Sequence, residues 1–326
     1  MSEVVIGVGA SHTTLMNTRW AEVDHLDRAH TFRDALGRAR RAIEGAGADV
    51  AVVIGPNHFR GIWLDLMPTF AIGVGDVLAA GEHGTPSGRQ PACPDLGRSI
   101  LDGVVRRGFD PAFSAALQVD HGITHAIQYV LPPDLPVVPV LVNCFAPPLP
   151  PLARCAAFGA ALGAAIGDHG GGLRVAVVAS GGLSHQLPFP DWRNPDSDDD
   201  RFLVESWTHG RGRWEDYEVR RRSIVTAAAP KLREPFDRRV LALLGGGRLA
   251  DLIDDLESTG PDLGQGALAE RGGNGADEIR NWIAMAAACG WSPAHTLCYS
   301  PMPEWLTGMG VAVIDAPACP EETNRP

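Results

Sequence analysis

Five motifs in this sequence contain the residue types that bind metals or transfer protons. An imidazole can ligate a divalent metal or act as an acid or base near neutral pH, and a carboxylate can complete either kind of site. His12, His58 and His185 each follow a valine-rich segment directly. Their joint occurrence indicates such a site more strongly than any single histidine does. The motifs are SHTT (11–14), GPNHFRG (55–61), QVDHGITH (118–125), SGGLSHQLP (180–188) and GADEIRNW (275–282).

The N-terminal motif GVGASHTT (7–14) is similar to the glycine-rich turn of dinucleotide-binding folds but lacks its requirements. His12 stands where the third glycine would allow close helix packing, and no acidic residue follows a second strand about 20 positions later. The sequence therefore disfavours a nucleotide site. His12 is then a metal ligand, a catalytic base or an N-cap residue after a strand.

Glu278 is the best candidate for a carboxylate that joins two histidines in a metal site. It begins a helix whose apolar residues, Trp282 and Ile283 among them, should be buried, so the carboxylate would face the sheet. A glutamate in the first turn of a helix also stabilises the helix dipole without any metal. The residues alone leave both interpretations open.

The segments between these motifs predict the elements that must position them. Over the first 185 residues, valine-rich segments bounded by glycine, proline or asparagine alternate with helical patterns. We therefore predict an α/β fold, with a single domain over 1–326, a central, largely parallel or mixed sheet flanked by helices, and a helical C-terminal half. The expected strands are 4–9, 50–55, 136–143 and 174–181, the expected helices are 24–46, 93–107 and 151–167, and 308–316 is expected as an edge strand.

This arrangement predicts where the histidines meet. In parallel sheets, functional side chains collect at the carboxyl ends of the strands. Because His12 and His58 follow two strands of the predicted sheet, we expect both imidazoles at the same rim. Two imidazoles at one rim would supply half of a metal site.

Composition limits the classes of partner. The chain has 326 residues, 45% hydrophobic content and a net charge of −11, which allows a large core and disfavours binding to nucleic-acid phosphates. The six cysteines form no C-x-x-C pair, so a reduced, cytoplasmic setting is expected. The N-terminus lacks a basic region, and four prolines interrupt the apolar segment 144–167, so neither a secretory signal nor a membrane span is predicted. A small molecule is the expected partner.

Several other conspicuous residues are assigned no chemistry. The acidic segment 189–201 lacks the glycine and closing glutamate of a calcium loop and is expected to be solvated. Ser184 stands outside any G-x-S-x-G nucleophile motif. Trp63 and Trp305 are expected in the core, while Phe59, Phe189 and Trp192 either line an apolar slot or belong to the core. The histidines expected to be structural or exposed are His25, His30, His83, His169, His209 and His295.

Taken together, the sequence resembles the class III (LigB-type) extradiol ring-cleavage dioxygenases, in particular the 3-(2,3-dihydroxyphenyl)propionate 1,2-dioxygenase branch. The resemblance runs from residue 6 to residue 312, in order and at similar spacing. It implies Fe(II)-dependent opening of a side-chain-bearing catechol by O2 to a hydroxymuconate-type product, in aromatic-compound catabolism. The motifs that carry it are SHTTL, GPNHFRGIWLDLMPTFAIGVGD, QVDHG, PVVPVLVNCFAPPLP, SGGLSHQLP, DEIRNWIA and PMPEWLTGMG.

The resemblance implies a metal site of two histidines and one carboxylate. His12 and His58 would bind Fe(II), and Glu278 would supply the carboxylate. Such a triad occupies one face of an octahedron and leaves three positions open for a bidentate catecholate and O2. The family also tends to assemble, so a homo-oligomer is expected.

The resemblance also implies the residues that move protons. His121 and His185 would be the acid and base, in an order that the sequence leaves open, and Asp120 would orient or polarise the His121 ring. His125 and the stretch 192–216 depart from the family pattern, which concerns the identity of the substrate and not the type of reaction.

Two other classes of function are compatible with parts of this pattern. A zinc-type divalent-metal hydrolase could use the same His12, His58 and Glu278 with bound water as the nucleophile. A non-catalytic relative could keep the fold and use its cleft for binding, although such a module has no need for both His121 and His185. Arg60 and Arg193 could meet a carboxylate on a substrate, but the sequence places neither in a pocket.

Overall fold

The valine-rich segments form the middle of a nine-stranded mixed sheet in the computed structural model, which describes residues 1–257, 266–315 and 317. All four predicted strands are confirmed, each to within one or two residues at its ends. The strands of the described residues are β1 (Glu3–Ala10), β2 (Val50–Pro56), β3 (Phe70–Ala80), β4 (Ser87–Gln90), β5 (Ala112–Val119), β6 (Val137–Val142), β7 (Arg174–Ser180), β8 (His295–Met302) and β9 (Thr307–Ile314).

Helices cover both faces of this sheet. The α-helices of the described residues are α1 (Leu15–Thr18), α2 (Leu26–Gly45), α3 (Pro94–Arg106), α4 (His121–His125), α5 (Leu152–Asp168), α6 (Asp198–His209), α7 (Trp214–Thr226), α8 (Glu234–Gly245), α9 (Asp251–Glu257), α10 (Ala267–Gly272) and α11 (Ile279–Ala288). The three predicted helices are confirmed as α2, α3 and α5. The chain from 198 to 288 is mainly helical, as expected for the C-terminal half.

The strand order is β4-β3-β6-β2-β7-β1-β9-β8, and β5 pairs with β3 outside this path. The central strands β6, β2, β7 and β1 are parallel to one another, whereas β9 runs antiparallel to β1. Because β7 hydrogen-bonds to both β1 and β2, the carboxyl ends of these three strands form one continuous rim.

The hydrophobic core lies on both faces of the sheet, as the alternation along β2 shows. Val50, Val52 and Ile54 belong to the layer that contains α3, α5 and α11, while Ala51 and Val53 belong to the layer that contains α2. All seven residues of β2 are buried. A strand covered on both faces needs apolar residues at every position, which explains the uninterrupted valine-rich pattern in the sequence.

The expectation that 308–316 forms an edge strand is wrong. Strand β9 lies between β1 and β8, and all eight of its residues are buried; residue 316 lies outside the described residues. The edge is β8, whose mixed sequence HTLCYSPM hides its strand character. The other strands not predicted are β3, β4 and β5. In β3, Gly73 and Gly75 weaken the usual strand pattern.

In the acidic cluster at 198–200, Asp198 and Asp199 are exposed, as expected for a solvated segment, and Asp200 is half-buried, but the cluster begins a helix instead of a loop. Ser197 and Asp200 form a capping box at the start of α6, and the three aspartates occupy its first turn. Carboxylates there are favourable because they offset the positive end of the helix dipole.

Among the described residues, no helix combines the length and the apolar character needed to cross a membrane.

Candidate active site

The rim formed by β1, β7 and β2 carries three of the sequence-predicted residues. His12 follows β1, His58 follows β2, and His185 lies in the loop that leaves β7. The expectation that the first two share one rim is confirmed, since both strands pair with β7. His121 reaches the same place from the first residue of α4, and Glu278 from the N-cap position of α11. All five side chains line one pocket.

His12, His58 and Glu278 converge on a common point. Glu278 Oε1 lies 3.1 Å from His58 Nε2 and 3.6 Å from His12 Nε2, and all three side chains are buried. A ligand nitrogen of His121 also lies within 4.8 Å of the corresponding nitrogens of His12 and His58. Two imidazole nitrogens and a carboxylate oxygen in this arrangement form a donor set suited to a divalent transition metal.

Hydrogen bonds hold the Nδ1 nitrogens of the two converging histidines, His12 and His58. His12 Nδ1 lies 2.9 Å from the Ser180 hydroxyl, and His58 Nδ1 lies 3.3 Å from Asp120 Oδ1. Hydrogen bonds at Nδ1 fix the tautomer and the ring orientation, and they leave Nε2 available as a ligand. The second carboxylate oxygen of Glu278 accepts a hydrogen bond from the backbone N–H of Gly182.

Asp120 contacts a different histidine from the one expected. Its carboxylate accepts hydrogen bonds from the His58 backbone N–H at 2.6 Å, from the Gly122 N–H at 2.9 Å and from the His58 ring. It therefore orients His58 and caps α4, whereas the sequence suggested His121. Gly122 is required here because a Cβ at this position would lie 2.2 Å from the carbonyl oxygen of Pro56.

The carboxylate on His121 belongs to Glu82, which the sequence did not single out. Glu82 Oε1 accepts hydrogen bonds from His121 Nδ1 at 2.6 Å and from the His121 backbone N–H at 2.8 Å. The His121 ring stacks on the His58 ring, with 3.8 Å between their centroids. Arg60 pairs with the other oxygen of Glu82 at 3.1 Å. The available signal was the acidic residue of GEHG (81–84), which directly follows β3.

His185 is fixed by its own loop and by a glycine-rich turn. Its Nδ1 donates a hydrogen bond to the Leu183 carbonyl oxygen at 3.0 Å, which leaves Nε2 free. Gly275 packs against the face of the ring, since a Cβ there would lie 2.1 Å from His185 Cδ2 and Nε2. The glycines of RGGNG (271–275), which look like a simple chain break in the sequence, therefore make room for this imidazole.

The buried charges of the cluster are strongly coupled. Burial alone would lower the pKa of His58, but the carboxylates of Asp120 and Glu278 raise it to about 9. Burial alone would raise the pKa of Glu278, but His12, His58 and His185 lower it to about 2. Burial holds the pKa of His12 well below its ordinary value. These opposite shifts favour a proton on His58 Nε2 facing Glu278 Oε1, the two atoms that a divalent cation would bind in its place.

The pocket walls combine apolar and basic residues. Phe189 and Trp305 line the pocket, and both are buried. Phe59 and Trp63 are also buried but do not line the pocket, and Trp192 is partly exposed. The walls consist of Thr13, Thr14, Leu15, Thr18, His83, Leu187, Phe189, Arg221, Arg222, Val225, Thr226, Trp305, Leu306 and Thr307. Of the six histidines expected to be structural or exposed, His83 belongs to this wall, and the other five do not line the pocket.

Ser184 and the two arginines named from sequence, Arg60 and Arg193, do not line the pocket and instead make structural contacts. The Ser184 hydroxyl donates to Asp237 at 2.7 Å and accepts from the Arg233 N–H at 2.8 Å, so it supports the loop that carries the histidine. Arg60 pairs with two glutamates behind the pocket wall. Arg193 pairs with its neighbour Asp191 at the surface.

Comparison with known proteins assigns the chain to a family. A family described as the catalytic LigB subunit of aromatic ring-opening dioxygenase matches residues 8–310. The chain belongs to this family, which confirms the resemblance seen in its motifs. It is therefore an enzyme of the ring-opening dioxygenase class.

Several relatives are similar over nearly their whole length. A protein of Klebsiella pneumoniae (strain 342), named 2,3-dihydroxyphenylpropionate/2,3-dihydroxicinnamic acid 1,2-dioxygenase, is 32% identical over 92% of this chain and 95% of its own. Proteins of the same name from Mycolicibacterium smegmatis (strain ATCC 700084 / mc(2)155) and Escherichia coli O139:H28 are 32% and 30% identical. They cover 92% and 88% of this chain, and 95% and 93% of their own length.

The fold also occurs in a solved structure of distant sequence. The crystal structure of an uncharacterized protein from Escherichia coli K12 matches with a TM-score of 0.50 at 14% identity. The structural match covers 95% of this chain and 99% of the chain in that crystal structure. At this level of identity the match concerns the fold alone.

Proposed function

We propose that this protein is an Fe(II)-dependent extradiol dioxygenase that opens the ring of a side-chain-bearing catechol with O2. Both oxygen atoms enter a ring-opened, hydroxymuconate-type product, and the reaction belongs to aromatic-compound catabolism. The observation that carries the proposal is the convergence of His12, His58 and Glu278 in a pocket that also contains His121 and His185. Membership of the ring-opening dioxygenase family supports the type of reaction.

The donor set fits iron(II). In this proposal His12 and His58 bind the metal through Nε2 and Glu278 binds it through a carboxylate oxygen, as their distances of 3.1 and 3.6 Å support. Ser180 and Asp120 hold the histidines at Nδ1, which is the usual outer support of a metal-ligating imidazole. When bound, iron(II) supplies the redox chemistry that lets singlet catechol and triplet O2 combine.

The chain's own contribution is to move protons and to hold the ring. A catechol must lose hydroxyl protons to chelate a metal, and a general base has to lie within hydrogen-bond reach of them. His121 and His185 are both anchored at Nδ1, by Glu82 and by the Leu183 carbonyl, so Nε2 of each is the atom that takes up or returns a proton. We assign the acid and base roles to this pair, without fixing their order.

The pocket walls suit a planar aromatic ring. Phe189, Trp305 and Leu306 line it with apolar surface, and each is at least nine-tenths buried. Burial of an aromatic ring against such walls is favourable and excludes water from the reacting atoms. The same walls keep the ring beside both proton-transferring histidines.

The test is oxygen uptake by anaerobically Fe(II)-loaded enzyme with a panel of substituted catechols, monitored together with the visible absorbance of a yellow ring-opened product. Uptake with such a product is expected. His12→Ala and His58→Ala should lose both iron and turnover, and full iron with full turnover in either variant would contradict the metal assignment. A protein that holds zinc as isolated and consumes no O2 with any catechol, even when loaded with iron, would favour the divalent-metal hydrolase.

We also propose three further properties of this protein: its domain organisation, its location in the cell and its assembly. We infer that residues 1–326 form one domain, since one sheet unites strands from β1 to β9. We place the enzyme in the cytoplasm, because the five cysteines of the described part of the chain are free thiols. We also expect a homo-oligomer, which the family resemblance implies and which light scattering would measure.

A further inference from the structure

A small cavity lies beside His12, separate from the active-site pocket. Its walls come from the ends of β1 and β7, from α2, and from α4 and the helical segment that follows it. Of its described lining residues, His12 alone also lines the active-site pocket. A molecule bound in this cavity would therefore lie next to a proposed metal ligand without meeting the substrate. The lining residues are Ala10, Ser11, His12, Leu36, His125, Ala126, Tyr129, Val130 and Ser180.

His125 brings an unmatched polar atom to this cavity. The residue is only 3% exposed, and its Nε2 is buried with no hydrogen-bond partner among the described residues. Burial lowers the pKa of the ring to about 3, so the imidazole is neutral and accepts a hydrogen bond at one of its nitrogens. A buried polar atom without a partner costs free energy, so binding of a molecule that pairs with it is favoured.

The Ser180 hydroxyl is the second unmatched group. Its oxygen lies 2.9 Å from His12 Nδ1, and Ser180 is buried. When His12 Nε2 serves as a metal ligand, Nδ1 carries the ring proton and donates it to the hydroxyl oxygen. The hydroxyl proton then needs an acceptor of its own, and the residues that the structure describes provide none.

The other polar side chains of the cavity are already paired. Ser11 Oγ donates to a backbone carbonyl of β9 at 3.3 Å and accepts from a backbone N–H of the same strand at 2.9 Å. The Tyr129 hydroxyl donates to an asparagine side chain at 2.5 Å and accepts from an arginine at 3.2 Å. His125 Nε2 and the Ser180 hydroxyl are therefore the groups to which a bound molecule would pair.

The size of the cavity and the chemistry of these two groups select water as the ligand. The centre of a water molecule can move over about 10 Å³ there, which is about the minimum for one water and too little for a larger ligand. Ser180 and His125 form no direct hydrogen bond, and a water can bridge two polar groups that are too far apart for one. A water accepts the Ser180 hydroxyl proton and donates to His125 Nε2 at the same time.

We propose that this cavity binds one water between the Ser180 hydroxyl and His125 Nε2, and that His125 thereby positions the metal-ligating ring of His12. Because the water takes the hydroxyl proton, the lone pairs of Ser180 Oγ stay directed at His12 Nδ1–H, which leaves Nε2 for the metal. His125 departs from the family pattern but does not line the active-site pocket, so this departure concerns support of the metal site. The inference rests on the proposed function, since it concerns the same metal.

The direct test is a crystal structure of the wild-type protein, in which a water is expected within about 3.2 Å of both Ser180 Oγ and His125 Nε2. Heteronuclear NMR of the metal-free protein shows which nitrogen of His12 carries the proton, and anaerobic competition titration gives the Fe(II) affinity. His125→Leu should reduce the share of His12 protonated at Nδ1 and weaken Fe(II) binding on the order of 2- to 10-fold, since one neutral hydrogen bond is lost. His125→Gln should recover most of both, because its amide can bond to the same water. Tyr129→Phe, on the same cavity wall, is the matched control and should change neither.

A double-variant cycle separates the water bridge from a general effect on folding. In a Ser180→Ala background, His125→Leu should cause no further loss of Fe(II) affinity, because the hydroxyl that the water orients is already gone. An additive loss, a wild-type cavity without the water, or an unchanged His12 tautomer in His125→Leu would overturn the inference. If the water and the His12 tautomer depend on His125, yet His12→Ala keeps full iron, the metal assignment of the proposed function fails and the bridge to His12 stands.

Discussion

Replacing Gly275 by alanine tests whether the His185 ring must stay where the glycine-rich turn allows it. A Cβ at position 275 would lie 2.1 Å from His185 Cδ2 and Nε2. Non-bonded carbon atoms prefer about 3.5–4.0 Å, so the ring would have to retreat by roughly 1.4–1.9 Å. Gly275 has no positive φ, so the backbone itself accepts alanine and the clash is the cost that matters.

A displacement of this size is large on the scale of catalysis. Misplacing a catalytic group by about 1 Å can cost on the order of 100-fold in rate, so we expect kcat to fall by at least about that factor. Overpacking typically lowers the free energy of unfolding by about 1–3 kcal/mol, which a stable domain tolerates. The His185 Nδ1 bond to the Leu183 carbonyl, now 3.0 Å long, should break as well.

The assay is oxygen uptake at saturating catechol, with metal content determined on the same samples. Gly167→Ala in α5 is the matched control, because a Cβ there has no heavy atom within 4 Å. In a His185→Ala background, Gly275→Ala should cause no further loss, since the ring that it displaces is already gone. Wild-type turnover in Gly275→Ala, or a fully additive loss in the double variant, would refute this reasoning.

Three further predictions concern the carboxylates around the site. Asp120→Asn should weaken metal affinity about 10- to 100-fold, because the carboxylate supports the His58 ring; unchanged affinity in a metal-competition titration would contradict this role. Glu82→Gln should lower turnover while metal content is retained, because Glu82 anchors His121 Nδ1; normal oxygen uptake would exclude that role. Burial raises the pKa of Asp237 from 3.8 to about 6, so its contribution to stability is complete below pH 4 and is lost as the pH rises through 6. The wild type should lose about 3 kcal/mol in this way, whereas Asp237→Asn stays neutral and should lose nothing, so the free energy of unfolding of the variant should gain on that of the wild type by about this amount between pH 4 and pH 7 in urea denaturation; a difference independent of pH would disprove it.

The parts of the site that follow strands were accessible to sequence reasoning. His12, His58 and His185 come directly after valine-rich segments. An uninterrupted apolar segment of this length is typical of a parallel strand that is covered on both faces. Since the carboxyl ends of such strands share an edge, placing these histidines together needed only the strand assignments. The helix pattern made Glu278 a candidate but left open whether it binds a metal or stabilises the helix dipole; the resemblance to the family then supplied that role and the role of His121.

Other parts of the site could not be found in this way. Glu82 was overlooked because β3 contains glycines that weaken its strand pattern, so the residue after it did not look like a rim residue. Asp120 was matched to its sequence neighbour, whereas its carboxylate contacts the ring of a residue 62 positions away. Arg222 looks like any other cation on a charged helix until the pocket wall is known.

The sequence by itself determined the central parallel strands, the flanking helices and the three histidines at the strand ends. These features depend on local periodicity, which burial on one or two faces imposes on neighbouring residues. Only the tertiary structure decided that β9 is internal and β8 forms the edge, that Glu278 meets His58 across 220 residues of chain, and which carboxylate supports which imidazole. Those contacts depend on packing between segments that are far apart in the chain. There the fit of side chains to within a few tenths of an ångström, together with the pairing of buried charges, selects one contact partner among many residues with the same chemistry.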